Sequence, residues 1–485
     1  MKSSFIREVT LYRYRYVLGY IAFGILLAGL LAFGIEQVPR GLTNDEMASA
    51  VTSVNVNPLH PTATNVIDAP YHHVQKLSIQ LFGLTPLAIK LPSILIGAAT
   101  GVALIFMLRR WFRTNVAIIT ALIVVTSVGF LSMARTGSPI IMPTFWTVIL
   151  LLAATYMLHA DSYRFIWKLF SLGSLAMLAY SPLGIYPCIA LAIAGLLHPH
   201  VRNRLRQGKW WKNLIIAIIT LGILAPLIIA CINTPRVALQ LLGFEGVDFA
   251  WSDVGSSLWT LGGQLFNFTT NHTGPIVTPL FNIATTILLL LGLLKLFTAR
   301  YSARSYMLFI WLALLVPVLI LRPDALLLII VPSTLVLAIG IESLIRQWYD
   351  LFPRNPYARI GALLPLSVLV FSITGMNVSR YFLGHQYGSS SSFHAELPAV
   401  RETLENKKLG KDKPVALVVP PQQVAFYDLM RRQYPRASVS SQLSSSANSQ
   451  IILASSTEQR KDTPSQIVTN DSASEQALLL RVYTQ

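Results

Sequence analysis

Asp45 and Glu46 stand side by side in the stretch GLTNDEMASA, residues 41–50, of a 485-residue chain in which only 12% of residues are charged. Adjacent carboxylates can serve two ends. Held at a partly desolvated cleft, a carboxylate takes the proton from a hydroxyl nucleophile, general-base help that contributes about 10²–10⁴-fold. Placed in the first turn of a helix, acids instead favour the positive end of its dipole. Two further stretches carry side chains that could do chemistry. DAPYHHVQKLSIQLFGLTPLAIKLPSILIG, residues 68–97, holds Asp68, Tyr71, His72, His73, Lys76 and Lys90; SMARTGSPIIMPTFW, residues 132–146, holds Arg135. Arg322, two residues before Asp324, is another isolated cation. Fixed cations stabilise negative charge that builds on a leaving group. Each also has a plainer reading: Arg135 as an interfacial anchor that snorkels to the surface, and Arg322 as half of a local ion pair. Adjacent histidines on a helix point apart, so His72 and His73 do not make a metal pair. No metal and no other cofactor is expected, and no Gly-rich nucleotide loop is present. Cys188 and Cys231 lie in apolar runs and read as packing residues, not a disulfide framework.

The elements that position these residues follow from composition. Hydrophobic residues make up 53% of the chain, mean hydropathy is +0.56, and ordinary soluble domains carry about twice as many charges. A bilayer core needs roughly 20 apolar residues per helix. Spans are expected at 17–35, 86–108, 115–133, 139–158, 165–180, 182–197, 213–232, 275–297, 305–321, 324–345 and 358–378. The first run reads as a retained helix, because no small-residue cleavage site follows it. With the N-terminus inside, the cytoplasmic segments hold 20 of the 38 Lys and Arg residues and the outer loops hold 6. The net charge of +17 is therefore mostly a topology signal; no nucleic-acid partner is implied. The chain reads as a multi-pass protein of the plasma (inner) membrane. A first outer loop covers 36–85, a second covers 233–274, and a tail from 379 to 485 also lies outside. Thr43-Asn44 would cap a helix running to about Val54, with the two acids in its first turn. A second helix, Tyr71 to Phe82, carries an apolar face of Val74, Leu77, Leu81 and Phe82. Both are too short to span and should lie at the membrane surface. In the tail, PVALVVP, QIILASS and ALLLRVY read as strands and QQVAFYDLMRRQY as a helix. The expected fold is an all-α polytopic bundle of about eleven helices over 1–378, with juxtamembrane helices on its outer face and a small C-terminal α/β extracytoplasmic domain over 379–485.

The order and spacing of these motifs resemble one family. Asp45-Glu46, then Asp68-Ala69-Pro70-Tyr71-His72-His73, then Leu81-Phe82-Gly83, then Lys90-Leu91-Pro92-Ser93 looks like the polyprenyl-phosphate-sugar glycosyltransferases of the GT-C class. That class includes the protein O-mannosyltransferases and the lipid A aminoarabinose transferases. The detailed likeness covers residues 36–146; span number, topology and an outer C-terminal domain extend it loosely to the rest. The chain departs from the pattern in having one Pro of the usual pair, Lys for Arg at position 90, and no acid among Thr136, Gly137 and Ser138 after Arg135.

The resemblance implies transfer of a sugar, hexosyl or pentosyl, from a polyprenyl-phosphate donor to an extracytoplasmic acceptor, with inversion. Carried over, Asp45 is the base and Glu46 its catalytic neighbour. Arg135, Arg322, Lys76 and Lys90 are the donor-phosphate ligands, and Asp68, Tyr71, His72 and His73 line the substrate cleft. Two other readings stand beside it: an envelope-lipid transporter or flippase, and a catalytically inactive relative that binds a glycan or a partner. A transporter would place ionisable residues near mid-span, whereas these cluster at the outer mouth.

Overall fold

The computed structural model describes residues 10–57, 66–159, 163–207, 209–246, 252–273, 276–298, 303–351, 357, 361, 363–387, 393–405, 415–441, 450–454, 463–469 and 478–483. The Ser-rich stretches 388–392 and 442–449, and most of the loop expected at 58–70, lie outside these residues.

The chain is an integral membrane protein built as a bundle of apolar helices. Among the described residues six helices are long and apolar enough to cross a bilayer: Pro86–Trp111, Pro139–His159, Trp210–Asn233, Arg304–Leu321, Pro323–Leu351 and Leu364–Tyr387. In chain order the first helices are α1 (Thr10–Ala32), α2 (Asn44–Asn55), α3 (Ala69–Phe82), α4 (Pro86–Trp111), α5 (Thr114–Val125), α6 (Val128–Arg135) and α7 (Met142–His159). The span expected at 115–133 is the bent pair α5 and α6, which meet at 61°. The break has a local cause. Thr126 Oγ1 bonds back to the Leu122 carbonyl at 2.8 Å, and the Ser127 side chain caps α6 by accepting from the Phe130 amide. Hydroxyls that compete for backbone groups in this way end one helix and start the next.

Next come α8 (Arg164–Leu178), α9 (Ile185–Leu197), α10 (Pro199–Arg206), α11 (Trp210–Asn233), α12 (Pro235–Leu242) and α13 (Asp253–Phe266). The strands β1 (Asn271–Thr273) and β2 (Ile276–Thr278) pair antiparallel. Residues 276–278, expected inside a span, are therefore strand, and the helix α14 (Ile283–Thr298) starts later. α15 (Ala303–Leu321) and α16 (Ile330–Leu351) follow, joined by 3₁₀ turns over Pro323–Ile329 where an α-helical start was expected. Pro323 lacks the amide an α-helix interior would use and suits a first-turn position. α17 (Leu363–Tyr387) is the last long helix. It runs past the boundary expected at 378, because SRYFLGHQY holds no proline and the single Gly384 is tolerated inside a helix.

α4 sits at the centre of one half, packed on α1, α3, α5, α6 and α7. Apolar contacts do little to drive helices together in lipid, so buried polar side chains contribute the specificity. Asn282 and Asn377 bond at 2.9 Å between the start of α14 and α17, and Asn377 also reaches the Ile123 carbonyl on α5.

The tail is a small α/β unit. α18 (Glu396–Glu405) leads into β3 (Val415–Val418), α19 (Val424–Asp428), β4 (Ala437–Ser440), β5 (Gln450–Ala454), β6 (Gln466–Thr469) and β7 (Leu478–Tyr483). The sheet order is β4-β3-β5-β7-β6. β3 is parallel to β4 and β5, while β7 is antiparallel to both β5 and β6. β4, β6 and α18 were not legible as elements in the sequence, being short and weakly patterned. The unit does not hang free. Leu42, Met47, Ala50, Ile79 and Ile89 share one buried apolar cluster with Leu397, Val400, Leu417, Phe426, Tyr427 and Val482.

Candidate active site

The two acids have different fates, and the difference starts with Thr43. Its extended backbone makes it the N-cap of α2. The Thr43 hydroxyl accepts from the Glu46 amide at 3.2 Å, and Glu46 Oε2 accepts from the Thr43 amide at 2.7 Å. This reciprocal pair satisfies two donors that a helix start leaves open. Glu46 is fully buried, and its other oxygen, Oε1, accepts from the Gly137 amide at 2.6 Å. Both oxygens of Glu46 are thus held by backbone N–H groups, each a charge-assisted bond. Asp45, one residue earlier, is exposed, and no described residue hydrogen-bonds or pairs with its carboxylate. One acid locks the turn; the other is presented by it.

Gly137 is held from both sides. Its carbonyl accepts from Gln75 Nε2 at 2.8 Å, and Gln75 Nε2 also donates to the Ile89 carbonyl at 3.0 Å. A Cβ at position 137 would lie 2.7 Å from the Ile89 side chain and 2.9 Å from its carbonyl oxygen, so only glycine allows this approach. With its nitrogen spent on two carbonyls, the Gln75 amide has one orientation, and its oxygen accepts from Ser49 at 2.8 Å and Ser53 at 2.6 Å. Ser53 has one proton, given to Gln75. His72 Nδ1, 2.8 Å from Ser53 Oγ, must therefore be the donor of that pair. Burial, with the charge of His73 adding to it, pushes the His72 imidazole down to about 4, so it is neutral at pH 7. The chain Glu46–Gly137–Gln75–Ser53–His72 fixes α2 against α3 and against the turn after α6.

The other residues singled out in the sequence lie as follows. Tyr71 is fully buried and bonds Ser93 at 2.8 Å; burial raises its phenol well above the usual range. Asp68 is buried in a left-handed conformation and accepts from the Ser181 hydroxyl at 2.7 Å. Burial pushes its carboxyl up to about 7, with the Ser181 bond opposing. Asp68, Tyr71 and His72 were expected to line an open cleft; they are instead a buried polar seam, and only His73 of the four is exposed.

The four expected phosphate ligands donate mainly to carbonyls. Arg135 is fully buried, donating to Leu30, Leu31 and Val38 carbonyls at 3.0, 2.9 and 2.6 Å and lying against the rings of Tyr381 and Phe382. Lys90, also fully buried, donates to Pro39 and Gly41. Neither presents its charge to a lipid. Lys76 donates to the Val56 carbonyl at 2.7 Å just past the end of α2. Arg322 donates to the Gly243 carbonyl at 3.0 Å and to that of Glu245, with Asp324 3.9 Å away. Helix C-termini leave carbonyls without partners, and Arg135 at Leu30 and Leu31, Lys76 at Val56 and Arg322 at Gly243 cap such ends; Lys90 instead holds carbonyls of the loop between α1 and α2. Lys76 and Arg322 remain partly exposed.

Sequence reading missed Gln75, Ser49 and Ser53. The signal was present: Ser49 and Ser53 are four apart on α2, and His72 and Gln75 three apart on α3, so each helix carries a polar stripe on one face. Among the described residues no three His, Cys, Asp or Glu side chains come together as a metal site.

The arrangement is an exposed carboxylate on a rigidly capped helix, at the mouth of a membrane bundle, beside an α/β unit. The fold is of the GT-C type. Residues 70–229, less than half of the chain, match the family model described as dolichyl-phosphate-mannose-protein mannosyltransferase. Among solved structures, ArnT from Cupriavidus metallidurans in the apo state is 13% identical, with a TM-score of 0.51, over 96% of this chain and 97% of that one. The apo oligosaccharyltransferase of Archaeoglobus fulgidus is 13% identical with a TM-score of 0.54, over 87% of this chain and 64% of that one. The same organism's oligosaccharyltransferase AglB, in complex with an inhibitory peptide and a dolichol-phosphate, is 12% identical with a TM-score of 0.52, over 87% and 64%. A search of curated proteins finds no match.

Proposed function

We propose that this chain is an integral-membrane glycosyltransferase that moves a sugar from a polyprenyl-phosphate donor to an extracytoplasmic acceptor, with Asp45 as general base. The observation that carries the reading is the contrast within the acid pair: Glu46 is consumed by two backbone amides while the Asp45 carboxylate stays exposed and unpaired among the described residues. A neighbour of this fold holds dolichol-phosphate, which supports a lipid-phosphate donor.

Asp45 removes the proton from the acceptor as its oxygen or similar nucleophile attacks the anomeric carbon. The bond from that carbon to the phosphate oxygen breaks, and the polyprenyl phosphate leaves with the bonding pair. In-line attack inverts the anomeric centre. Lys76 and Arg322, partly exposed, steady the departing phosphate. Lys90 and Arg135 act on the framework, holding residues 38–41 and the end of α1 under the loop that carries Asp45. Glu46 positions Asp45 and does not exchange a proton with substrate. His73 is the member of the Asp68–His73 group exposed to an acceptor.

The test is transfer of a radiolabelled sugar from a polyprenyl-phosphate sugar in proteoliposomes. Asp45→Asn should lower the transfer rate by about 10²–10⁴-fold while the purified protein melts as the parent does. Wild-type rates in that variant would remove the assigned base.

A further inference from the structure

A polar cavity of about 360 Å³ lies between α2 and the α/β unit, lined by Val51 and Asn55 of α2 and by Asp428, Leu429, Arg431 and Arg432 at and after the end of α19. Its place is fixed relative to Asp45. Asn44 Nδ2 donates to the Gln422 side chain at 3.3 Å, and Met47 and Ala50 share a buried cluster with Phe426 and Tyr427, so the unit lies along the length of α2. Beside this contact, Asp45, Ala48, Thr52 and Asn55 are spaced at 3, 4 and 3 residues, one stripe of the helix. Asp45, Ala48 and Asn55 are exposed and Thr52 partly so. At 1.5 Å per residue the stripe runs about 15 Å from Asp45 to the cavity. The charges in the cavity are open. Asp428 stands three and four residues before Arg431 and Arg432, a spacing at which opposite charges on a helix normally meet. Yet all three side chains are exposed, and among the described residues none of them bonds or pairs with another group.

We propose that this cavity is an acceptor subsite that selects a glycan bearing a carboxylate. That the glycan is the acceptor rests on the transferase reading above; its binding does not. The two guanidinium groups match the paired oxygens of a carboxylate. Asp428, an acceptor when ionised, takes the O–H of ring hydroxyls, and the Asn55 amide both gives and takes such bonds. Val51 and Leu429 meet the C–H face of a ring. Asp428 also sets the charge that fits. A phosphate monoester, or the consecutive carboxylates of an acidic peptide, would meet like charge there, whereas one carboxylate among hydroxyls does not. A short glycan seated by its acidic residue follows the stripe toward Asp45 and brings a hydroxyl of a neighbouring sugar to the base. Binding by a group remote from the reacting atom is what orients that hydroxyl.

Isothermal titration calorimetry of the full chain in phosphatidylcholine nanodiscs, with no donor present, tests it with three probes: trigalacturonic acid, its methyl ester and hexaglutamate. Wild type should bind the acid, and bind the ester at least about tenfold more weakly, the factor that one charge-assisted bond supplies. Arg431→Gln and Arg432→Gln should each weaken binding of the acid about tenfold and leave that of the ester unchanged, while melting as the parent does. Asn55→Trp fills the cavity from α2 without removing a cation and should weaken acid and ester alike. No binding of the acid by wild type, equal binding of acid and ester, hexaglutamate bound as tightly as the acid, or unchanged affinity in both arginine variants would overturn the proposal. Failure here leaves the transfer assay of Asp45→Asn to stand on its own. Wild-type transfer in that variant would strike the base and leave the glycan site in place.

Discussion

Replacing Glu46 with Gln tests the division of labour between the two acids more sharply than removing Asp45 does. Glu46 uses two oxygens on two amides, Thr43 at 2.7 Å and Gly137 at 2.6 Å. Gln has one oxygen and one NH₂. Whichever way it turns, one buried backbone N–H faces another donor. The variant loses a charge-assisted bond and gains an unmet buried donor, a combined cost of about 2–4 kcal/mol. Asp45→Asn removes only an exposed charge near a helix N-terminus, an effect of about 0.3–1 kcal/mol. Thermal unfolding in detergent, followed by tryptophan fluorescence, should therefore show a clear loss for Glu46→Gln and almost none for Asp45→Asn. Transfer assays below the melting range should show the reverse ranking, with Glu46→Gln keeping part of its rate. If Glu46→Gln melts like the parent and loses all transfer, Glu46 works on substrate and the positioning argument fails.

Two other expectations follow from the same seam. Gly137→Ala should destabilise by about 1–3 kcal/mol through overpacking, because its Cβ would meet Ile89 at 2.7 Å; the same melting assay reads it. The pH response of stability should be a cancellation of two slopes. Asp68 titrates at about 7 in the fold against 3.8 unfolded, so the folded state holds the extra proton and stability falls as pH rises from about 4 to 7. His72 titrates at about 4 against 6.5, so the unfolded state holds the extra proton and stability rises over about 4 to 6.5. Each slope is at most about 1.4 kcal/mol per pH unit. Asp68→Asn should expose the rising slope and His72→Gln the falling one, read as melting temperature against pH; parallel curves in the two variants would sink the assignment.

The helical bundle and its juxtamembrane helices were legible because apolar runs and cap residues are local signals. Thr43, Asp45 and Glu46 read directly as a helix start, and α2 begins there. What Glu46 does with its second oxygen was not legible, since Gly137 lies 91 residues away. The cations show the same limit. Position along the chain put Arg135 and Lys90 near span ends, yet nothing local distinguishes a guanidinium aimed at a phosphate from one aimed at Leu30, Leu31 and Val38. The α5–α6 bend was hidden because the apolar run is unbroken, and the deciding bonds come from Thr126 and Ser127, which suit a helix or its end equally well. Arg380 fell in the tail expected from 379, whereas α17 continues to Tyr387.

Leu42 and His394 exchange both backbone bonds, at 3.0 and 2.8 Å, and Gly41, at φ +93°, lies so close that a Cβ would meet the His394 carbonyl at 2.4 Å. A ribosome makes the first of these two segments hundreds of codons before the second. Throughout that interval the stretch bearing Asp45 lacks the companion that completes its shape, and its greasy underside waits for the tail. A polypeptide cut short, or threaded with its end on the wrong side, never receives that companion. The turn before Asp45 is thereby closed by a segment made long after it.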